Sequence, residues 1–318
     1  MSELRFDGRV AVITGAGRGL GRSYALLLAA RGCKVVVNDN GSAIGGSAIG
    51  GSAIRGDEVV SNPADEVVAE IVAAGGEAVA CLESVATPQG CAAIVQSAID
   101  TWGRIDVLIH NAGNVRYGSL QELSVEDFDA VVDVHFKGGF HLVRAAFAHM
   151  VAAQYGRVVL TSSVSGLYGS QTTVNYGMSK AGLMGLNNVT ALEGGPHGIK
   201  SNTIIPAAVT RMADGLDTSA YPPMDPDLVA PMVGWLAHES CSVSGEHLIA
   251  VAGRMARAFG TESKGVFHPS WTIEQVAAEI DAIRDPTEQW TFPPFPSGMS
   301  DHLGQSFAWA KSGAKAGQ

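Results

Sequence analysis

A doubly wound α/β fold around a parallel sheet is predicted by three observations on the 318-residue chain. Short runs of β-branched residues alternate with longer stretches of helical period. The runs are apolar without interruption, and a glycine-rich turn links the first of them to the first helix. Unbroken apolar strands need cover on both faces, which a parallel sheet between two helical layers provides.

The elements follow in order. "RVAVITG" reads as the first strand and "GRSYALLLAARG" as the helix that carries the chain back. "KVVVND" precedes the helix "PADEVVAEIVAAGG". "EAVACLESV", "IDVLIHNAG" and "GRVVLTSS" are further strands, and "HLIAVAG" is a late one. This repeated βαβ unit makes residues 1–255 one Rossmann domain. Residues 256–318 have a different character and form a C-terminal extension. Within it, "WTIEQVAAEIDAIRD" spaces its apolar residues as an amphipathic helix with Thr272 as N-cap. The Pro- and aromatic-rich "PTEQWTFPPFPSGMSDHLGQSF" is expected to wrap a surface or a neighbouring subunit, and the last residues to be disordered.

Composition narrows the function. Lys and Arg total 21 against 31 Asp and Glu, a net charge of −10, so a nucleic-acid backbone is repelled and no such partner is expected. The hydrophobic content of 46 % suits a sizeable core. Cys33, Cys81, Cys91 and Cys241 are far apart with no CxxC pair, which fits reduced packing thiols and no metal site. The N-terminus "MSELRFDGRV" has no apolar signal core, no segment approaches 18 uninterrupted apolar residues, and "KAGQ" is no peroxisomal address. A cytoplasmic location without membrane association is the expectation.

The first turn, "TGAGRGLGR", carries glycines at 15, 19 and 21, with Arg18 and Leu20 between them. Gly15, Gly19 and Gly21 permit a tight turn and close backbone approach, while free N–H groups at the helix start hold a pyrophosphate. Asp39 ends the next strand 24 residues after Gly15, where its carboxylate can accept hydrogen bonds from an adenosine ribose. The pair points to a dinucleotide, and Asp39 favours NAD because a 2′-phosphate would meet a like charge. Arg18 and Arg22 could soften that repulsion, so NADP stays open.

Downstream, Tyr176 and Lys180 stand four apart in "NYGMSKAG" and so share a helix face. An ammonium beside the phenol lowers its pKa towards working pH, as a general base requires. Ser163, at a strand end 13 residues before Tyr176, could hydrogen-bond the same substrate oxygen.

Together, "TGAGRGLG", "HNAG", "SS" with "YGMSK", and "NTIIP" resemble the short-chain dehydrogenase/reductase family over roughly residues 5 to 255. The resemblance implies Ser163 orienting the substrate, Tyr176 as acid/base, and Lys180 binding the nicotinamide ribose. It also places Asn111, Ala112 and Gly113 near the cofactor, Ser84 and Val85 near adenine, and Pro206, Val209 and Thr210 near the carboxamide. Two positions depart from the family pattern. His135, in "DVHFKGG", replaces an Asn whose backbone carbonyl anchors a water in the proton path, and His110 replaces the Asn before Asn111. Any residue supplies a carbonyl, so His135 stays among the catalytic candidates, although packing is the commoner role for both histidines.

A narrower similarity, in "VHFKGGFHLVRAAFAHM", "GRVVLTSSVSGLYG" and "SNTIIPAAVTRM" among others, is to the dehydrogenase portion of type 2 multifunctional β-oxidation enzymes, also called type 4 17β-hydroxysteroid dehydrogenases. It implies NAD-dependent interconversion of a secondary alcohol and a ketone on an acyl thioester or a steroid, in a free-standing homo-oligomer. Reduction of a 3-oxoacyl carrier is an alternative, and an idle NAD-binding sensor is another. A CoA ligand would need a cationic patch, which Arg254, Arg257 and Lys264 could form unless they are solvated surface. "YPPMDPDL" is expected to be part of a lid whose Tyr221 and Met224 shape an apolar pocket.

One tract belongs to none of these roles. Residues 41–54, "GSAIGGSAIGGSAI", repeat a five-residue unit just after Asp39. It is either a tolerated loop expansion, which costs only about 0.6 kcal/mol per doubling of length, or a flap whose isoleucines cover the adenine end.

Overall fold

Seven parallel strands carry the chain's apolar runs. The computed structural model describes residues 3–42, 54–55, 58–59, 62–210 and 220–316. In chain order the elements are β1 (Val10–Thr14), α1 (Gly19–Ala30), β2 (Lys34–Asn38), the short pair β3 (Ile54–Arg55) and β4 (Glu58–Val59), α2 (Pro63–Ala73), β5 (Glu77–Cys81) and α3 (Pro88–Trp102). Then come β6 (Val107–His110), α4 (Val125–Val132), α5 (Gly138–Ala153), β7 (Gly156–Thr161), α6 (Val164–Tyr168), α7 (Val174–Gly194), β8 (Ile199–Ala207), α8 (Ala230–Ala237), β9 (His247–Val251) and β10 (Arg254–Ala258). The first compact unit is Met1–Arg257.

The strand order is β10-β9-β8-β7-β6-β1-β2-β5, and every pair from β9 across to β5 is parallel. The chain leaves β1 towards β2 and β5 on one side, then crosses back to β6 on the other. That reversal opens a crevice at the carboxyl ends of β1 and β6, the place where such sheets bind ligands.

Alternation along each strand divides the core in two. Ala11, Ile13, Val35, Val37, Val107 and Ile109 face a layer made by α1, α2 and α8. Val10, Val12, Val36 and Leu108 face α3, α5 and α7, through Ile94, Leu142, Met150 and Leu183. The period of two sends neighbours to opposite faces, and both faces are buried, which is why the strands read as unbroken apolar runs. Each such side chain contributes about 1.5–3 kcal/mol by leaving water. Cys33, Cys81, Cys91 and Cys241 are buried free thiols.

Two connections matter for the site. A five-residue π-turn, Asp133–Lys137, joins α4 to α5 with helical backbone on both sides. Ser163 accepts the Ser165 N–H at 3.1 Å and so starts α6, a short helix that the β-branched and glycine-containing "VSGLYG" does not announce.

The second unit, Ala258–Gln318, pairs β11 (Glu262–Ser263) with β12 (Gln289–Trp290) and adds helices α9 (Ile273–Ile283) and α10 (Met299–Ala316). Thr272 caps α9 by accepting the Gln275 N–H, and Gln275 returns a bond to the Thr272 N–H. Its aromatic residues pack on one another, Trp290 edge-on to both Phe292 and Trp309 and Phe292 edge-on to His302. The helix α10 runs to Ala316, and the last two residues, part of the end expected to be disordered, lie outside the described residues. Its sequence lacks a continuous apolar stripe, so periodicity alone does not reveal it.

Most of the GSAIG repeat and the stretch 211–219 before the expected lid lie outside the described residues, as does the flap reading. No described helix is long and apolar enough to cross a membrane.

Candidate active site

The crevice is a cavity of about 590 Å³, and its floor is the glycine turn. Gly15 has φ +63°, and a Cβ there would stand 2.8 Å from the Ala112 Cα. At Gly21 a Cβ would come within 2.1 Å of the Gly15 carbonyl oxygen, so α1 can start beneath the turn only if that residue has no side chain. Gly15, Arg18, Gly19 and Leu20 line the cavity, whereas Gly21 supports it from below. Gly17 is a residue that the spacing argument missed. Its N–H donates to Asp39 Oδ2 at 3.2 Å, and Gly41 N–H donates to Oδ1 at 2.9 Å. The Asp39 carboxylate is thereby oriented on the cavity wall at the end of β2.

The next wall comes from the loop after β6. Asn111 Nδ2 donates to the carbonyls of Thr14 and Gly15, both at 3.2 Å, which ties the two strand ends together. Asn111, Ala112 and Gly113 line the cavity, as do Ser84 and Val85 from the loop after β5. Pro206 and Thr210 close the side after β8, with the Thr210 methyl facing Gly19. Val209 is not on the wall; it is 40 % exposed, and its N–H donates to the Met224 carbonyl at 2.8 Å. Met224 does line the cavity, while Tyr221 stays half exposed and off the wall.

At the opposite end α7 presents Tyr176 and Lys180. Asn175 holds this end in place by donating to the carbonyls of Arg116 and Asp127. Lys180 is buried, its Nζ donating to the Thr161 carbonyl at 2.6 Å and standing 5.4 Å from the centre of the Tyr176 ring. Ser163 adjoins Tyr176 but does not form the wall; at this end the wall has Ser162, whose hydroxyl donates to the Lys180 carbonyl at 2.8 Å.

His135 lines the cavity from the π-turn, with its ring edge-on to Tyr176 at 5.2 Å between centroids. π-turns recur at functional sites because they push one residue out of the helical ladder.

Electrostatics from the protein's own groups differ from the simplest expectation. Burial pushes Lys180 down to about 7, because among the described residues its ammonium has one carbonyl partner and no anion. Burial also raises Tyr176 above its ordinary value, with the Ser163 hydroxyl pulling it down and Tyr117 adding to the rise. The spacing of the two residues predicts a lowered phenol; desolvation outweighs it here.

Three buried polar atoms on cavity-lining residues have no partner among the described residues: Asn114 Oδ1, His135 Nδ1 and Thr161 Oγ1. A buried group left this way costs about 1–3 kcal/mol, so such groups collect where a ligand completes them.

The structure also adds Arg116 to the wall, its Nε 3.3 Å from Asp127 Oδ1. The signal was a cation three residues after the "NAG" motif. Of the cations considered for a CoA patch, Arg257 lies 3.3 Å from Glu246 within the first unit, and Lys264 lies 2.6 Å from Glu288 within the second.

The arrangement fits a dinucleotide: glycine amides with room for a pyrophosphate, an oriented carboxylate on the wall at one end, and a lysine with unused protons at the other. It also offers a hydroxyl that can exchange a proton with a substrate oxygen.

Comparison with known proteins agrees with this geometry. Residues 51–219 match the family model described as short chain dehydrogenase. The chain is 45 % identical over 280 residues to peroxisomal multifunctional enzyme type 2 of Drosophila melanogaster, covering 86 % of this chain and 45 % of that protein. It is 42 % identical over 280 residues to a protein of Mycobacterium tuberculosis named as a short-chain type dehydrogenase/reductase, covering 87 % and 94 %. The solved full-length Drosophila multifunctional enzyme superposes with a TM-score of 0.78 at 36 % identity, over 97 % of this chain and 50 % of that one. The chain thus spans about half the length of that multifunctional relative. With its doubly wound sheet, its glycine cradle and its Ser163, Tyr176 and Lys180 in one site, this chain belongs to the short-chain dehydrogenase/reductase family of oxidoreductases.

Proposed function

We propose that the chain is an NAD-dependent dehydrogenase that interconverts a secondary alcohol and a ketone, with 3-hydroxyacyl-CoA thioesters as its substrate class. The observation that carries the cofactor reading is the Asp39 carboxylate, oriented on the cavity wall by Gly17 and Gly41. A 2′-phosphate there would meet a fixed negative charge. Arg22 does little to offset it, because Glu70 lies 2.6 Å from its guanidinium. The substrate reading rests on the similarity to the multifunctional enzyme and on an apolar contribution from Met224.

In this reading the glycine-turn amides hold the pyrophosphate, Asp39 the adenosine ribose and Lys180 the nicotinamide ribose. Bound NAD supplies the acceptor for the hydride that leaves the carbinol carbon. Tyr176 takes the hydroxyl proton as its O–H bond breaks and the carbonyl forms, while Ser163 fixes the orientation of that oxygen. Lys180, as an ammonium, favours the phenolate that accepts the proton. A negatively charged ligand in the cleft raises the Lys180 pKa again, so the ammonium is restored when the cofactor binds.

The test is a dehydrogenase screen with NAD and NADP across 3-hydroxyacyl-CoA chain lengths and hydroxysteroids, followed by NADH absorbance. Turnover on thioesters with NAD supports the proposal. Turnover on steroids alone, or a preference for NADP, overturns its substrate or cofactor half.

We also propose a homo-oligomer joined through α5 and α7, on which Phe140 and Val189 are about half exposed. A monomeric mass by light scattering would exclude it.

A further inference from the structure

The two histidines that depart from the family pattern are joined in one hydrogen-bonded line. Thr14, fully buried at the end of β1, accepts the N–H groups of Asn111 and Ala112, both at 3.1 Å. Its single proton therefore goes to the remaining neighbour, His110 Nδ1, at 3.0 Å. This fixes the His110 tautomer, with the ring proton on Nε2, which donates to the His135 carbonyl at 3.0 Å.

That carbonyl belongs to the π-turn, where the regular helical ladder is interrupted. The ring of the same residue sets Nε2 3.1 Å from the Asn114 N–H and 2.9 Å from the Asn114 carbonyl oxygen, and stands at 85° to the Tyr176 ring. Gly113 permits the fit, since a Cβ there would lie 2.5 Å from His135 Cε1. An unbroken series of contacts thus runs from the loop ends beneath the cofactor cleft to the ring of the tyrosine. An aliphatic residue at 110 would fill the same space, yet both ring nitrogens are used.

We propose that His110 is a positioning residue for Tyr176, acting through His135: it holds the π-turn at the depth that sets the phenol beside Lys180. The proposal rests on the dehydrogenase reading of this site. Both imidazoles are neutral, His110 pushed down to about 4 and His135 also well below its ordinary value, chiefly by burial and then by the Lys180 charge. The groups facing His110 are Thr14, the His135 and Val134 carbonyls and Lys180. Those facing Tyr176 are Ser163, Tyr117, His135 and Lys180.

The test compares His110→Phe, which fills the volume without either hydrogen bond, with His110→Gln, whose amide offers an acceptor and a donor. The Tyr176 phenol is titrated by ultraviolet difference absorbance in the NAD complex, against Tyr176→Phe in each background. If the ring drifts from the ammonium, the phenolate is less favoured and the phenol pKa rises by about one pH unit. The acid limb of kcat for alcohol oxidation then moves up with it, lowering kcat below the limb about tenfold. KM for NAD stays within about twofold, because the cradle residues are untouched. Glutamine restores the limb in part.

A folded phenylalanine variant with an unshifted phenol, or a shift equally large with glutamine, overturns the proposal. A measurement on the unaltered protein stands beside these if the phenylalanine variant does not fold. Nitrogen-15 shifts must show His110 protonated at Nε2 alone at neutral pH, and any other form overturns the proposal. Neither the phenol titration nor the nitrogen shifts need a substrate, so a wrong substrate class would leave both interpretable.

Discussion

The two ends of the cleft are built on opposite terms. At the Asp39 end the polar groups satisfy one another: both Asp39 oxygens accept loop amides, and Asn111 bridges two carbonyls. At the tyrosine end Lys180 is a buried cation with one carbonyl partner, and Asn114, His135 and Thr161 each hold an unpartnered polar atom. The first end is a finished receptor that only has to hold its ligand. The second keeps unmet bonding capacity in a water-poor place, where a reacting group gains most from it. In the proposed reading, polar groups are paired where the cofactor would be held and left unpaired where the proton would move.

The largest expected effect breaks the reacting end alone. Tyr176→Phe removes the proton acceptor and lowers kcat by roughly 10²–10⁴-fold. NAD affinity, measured by titrating protein fluorescence, changes little because the residues of the Asp39 end are intact. A large loss of NAD affinity would show that the ends are not independent. Breaking the other end gives the converse. Asp39→Ala removes the ribose acceptor and the charge that disfavours a 2′-phosphate, so the NAD-over-NADP preference in kcat/KM falls by about 10–100-fold. The acid limb of the pH profile stays where it was, and a moved limb would contradict the comparison.

The same contrast explains what could be read from the sequence. The glycine turn and the place of Asp39 on the cavity wall are legible because a tight strand-to-helix turn demands glycine and the end of the next strand lies beside it. Tyr176 and Lys180 are legible because four residues make one helix turn. The strands β1, β2 and β6 are legible because burial on both faces leaves no polar interruption. Gly17 and Arg116 were missed because their roles, an amide aimed at Asp39 and a cation on the wall, depend on where loops fold. The connection of His110 to His135 joins a strand end to a π-turn 25 residues on, and no local pattern encodes it. The raised Tyr176 pKa was invisible for a similar reason: desolvation is a property of the folded cleft, whereas spacing shows only that the lysine is near.

A smaller effect separates stability from activity. Lys180 titrates near 7 in the folded protein and about 10.4 when unfolded. Between those values the unfolded chain binds more protons, so this residue makes stability rise with pH from about 7 to about 10. Below about pH 7 the full cost of burying the ammonium is present. Lys180→Met removes that cost while keeping an unbranched side chain. Its thermal midpoint without cofactor should exceed the parent's by several degrees at pH 6, and the difference should shrink towards pH 10. A variant equally destabilised at both values would mean that the Thr161 bond outweighs desolvation.

The smallest effect concerns Thr161, which has an unpartnered hydroxyl at the end of β7. Thr161→Val keeps the shape of the side chain and removes a buried polar atom that no protein group satisfies. A paired hydroxyl would be missed by about 1 kcal/mol, but an unpaired one costs stability, so the apo variant should unfold in urea at the same or slightly higher midpoint. The carbonyl that receives Lys180 is unchanged, and the acid limb should not move. If the hydroxyl serves the bound state, the loss appears only there, as a weaker NAD or substrate constant with stability intact. Equal loss in the apo and bound proteins would mean that Thr161 is satisfied within the fold, and the reacting end would then be less open than its partner at Asp39 suggests.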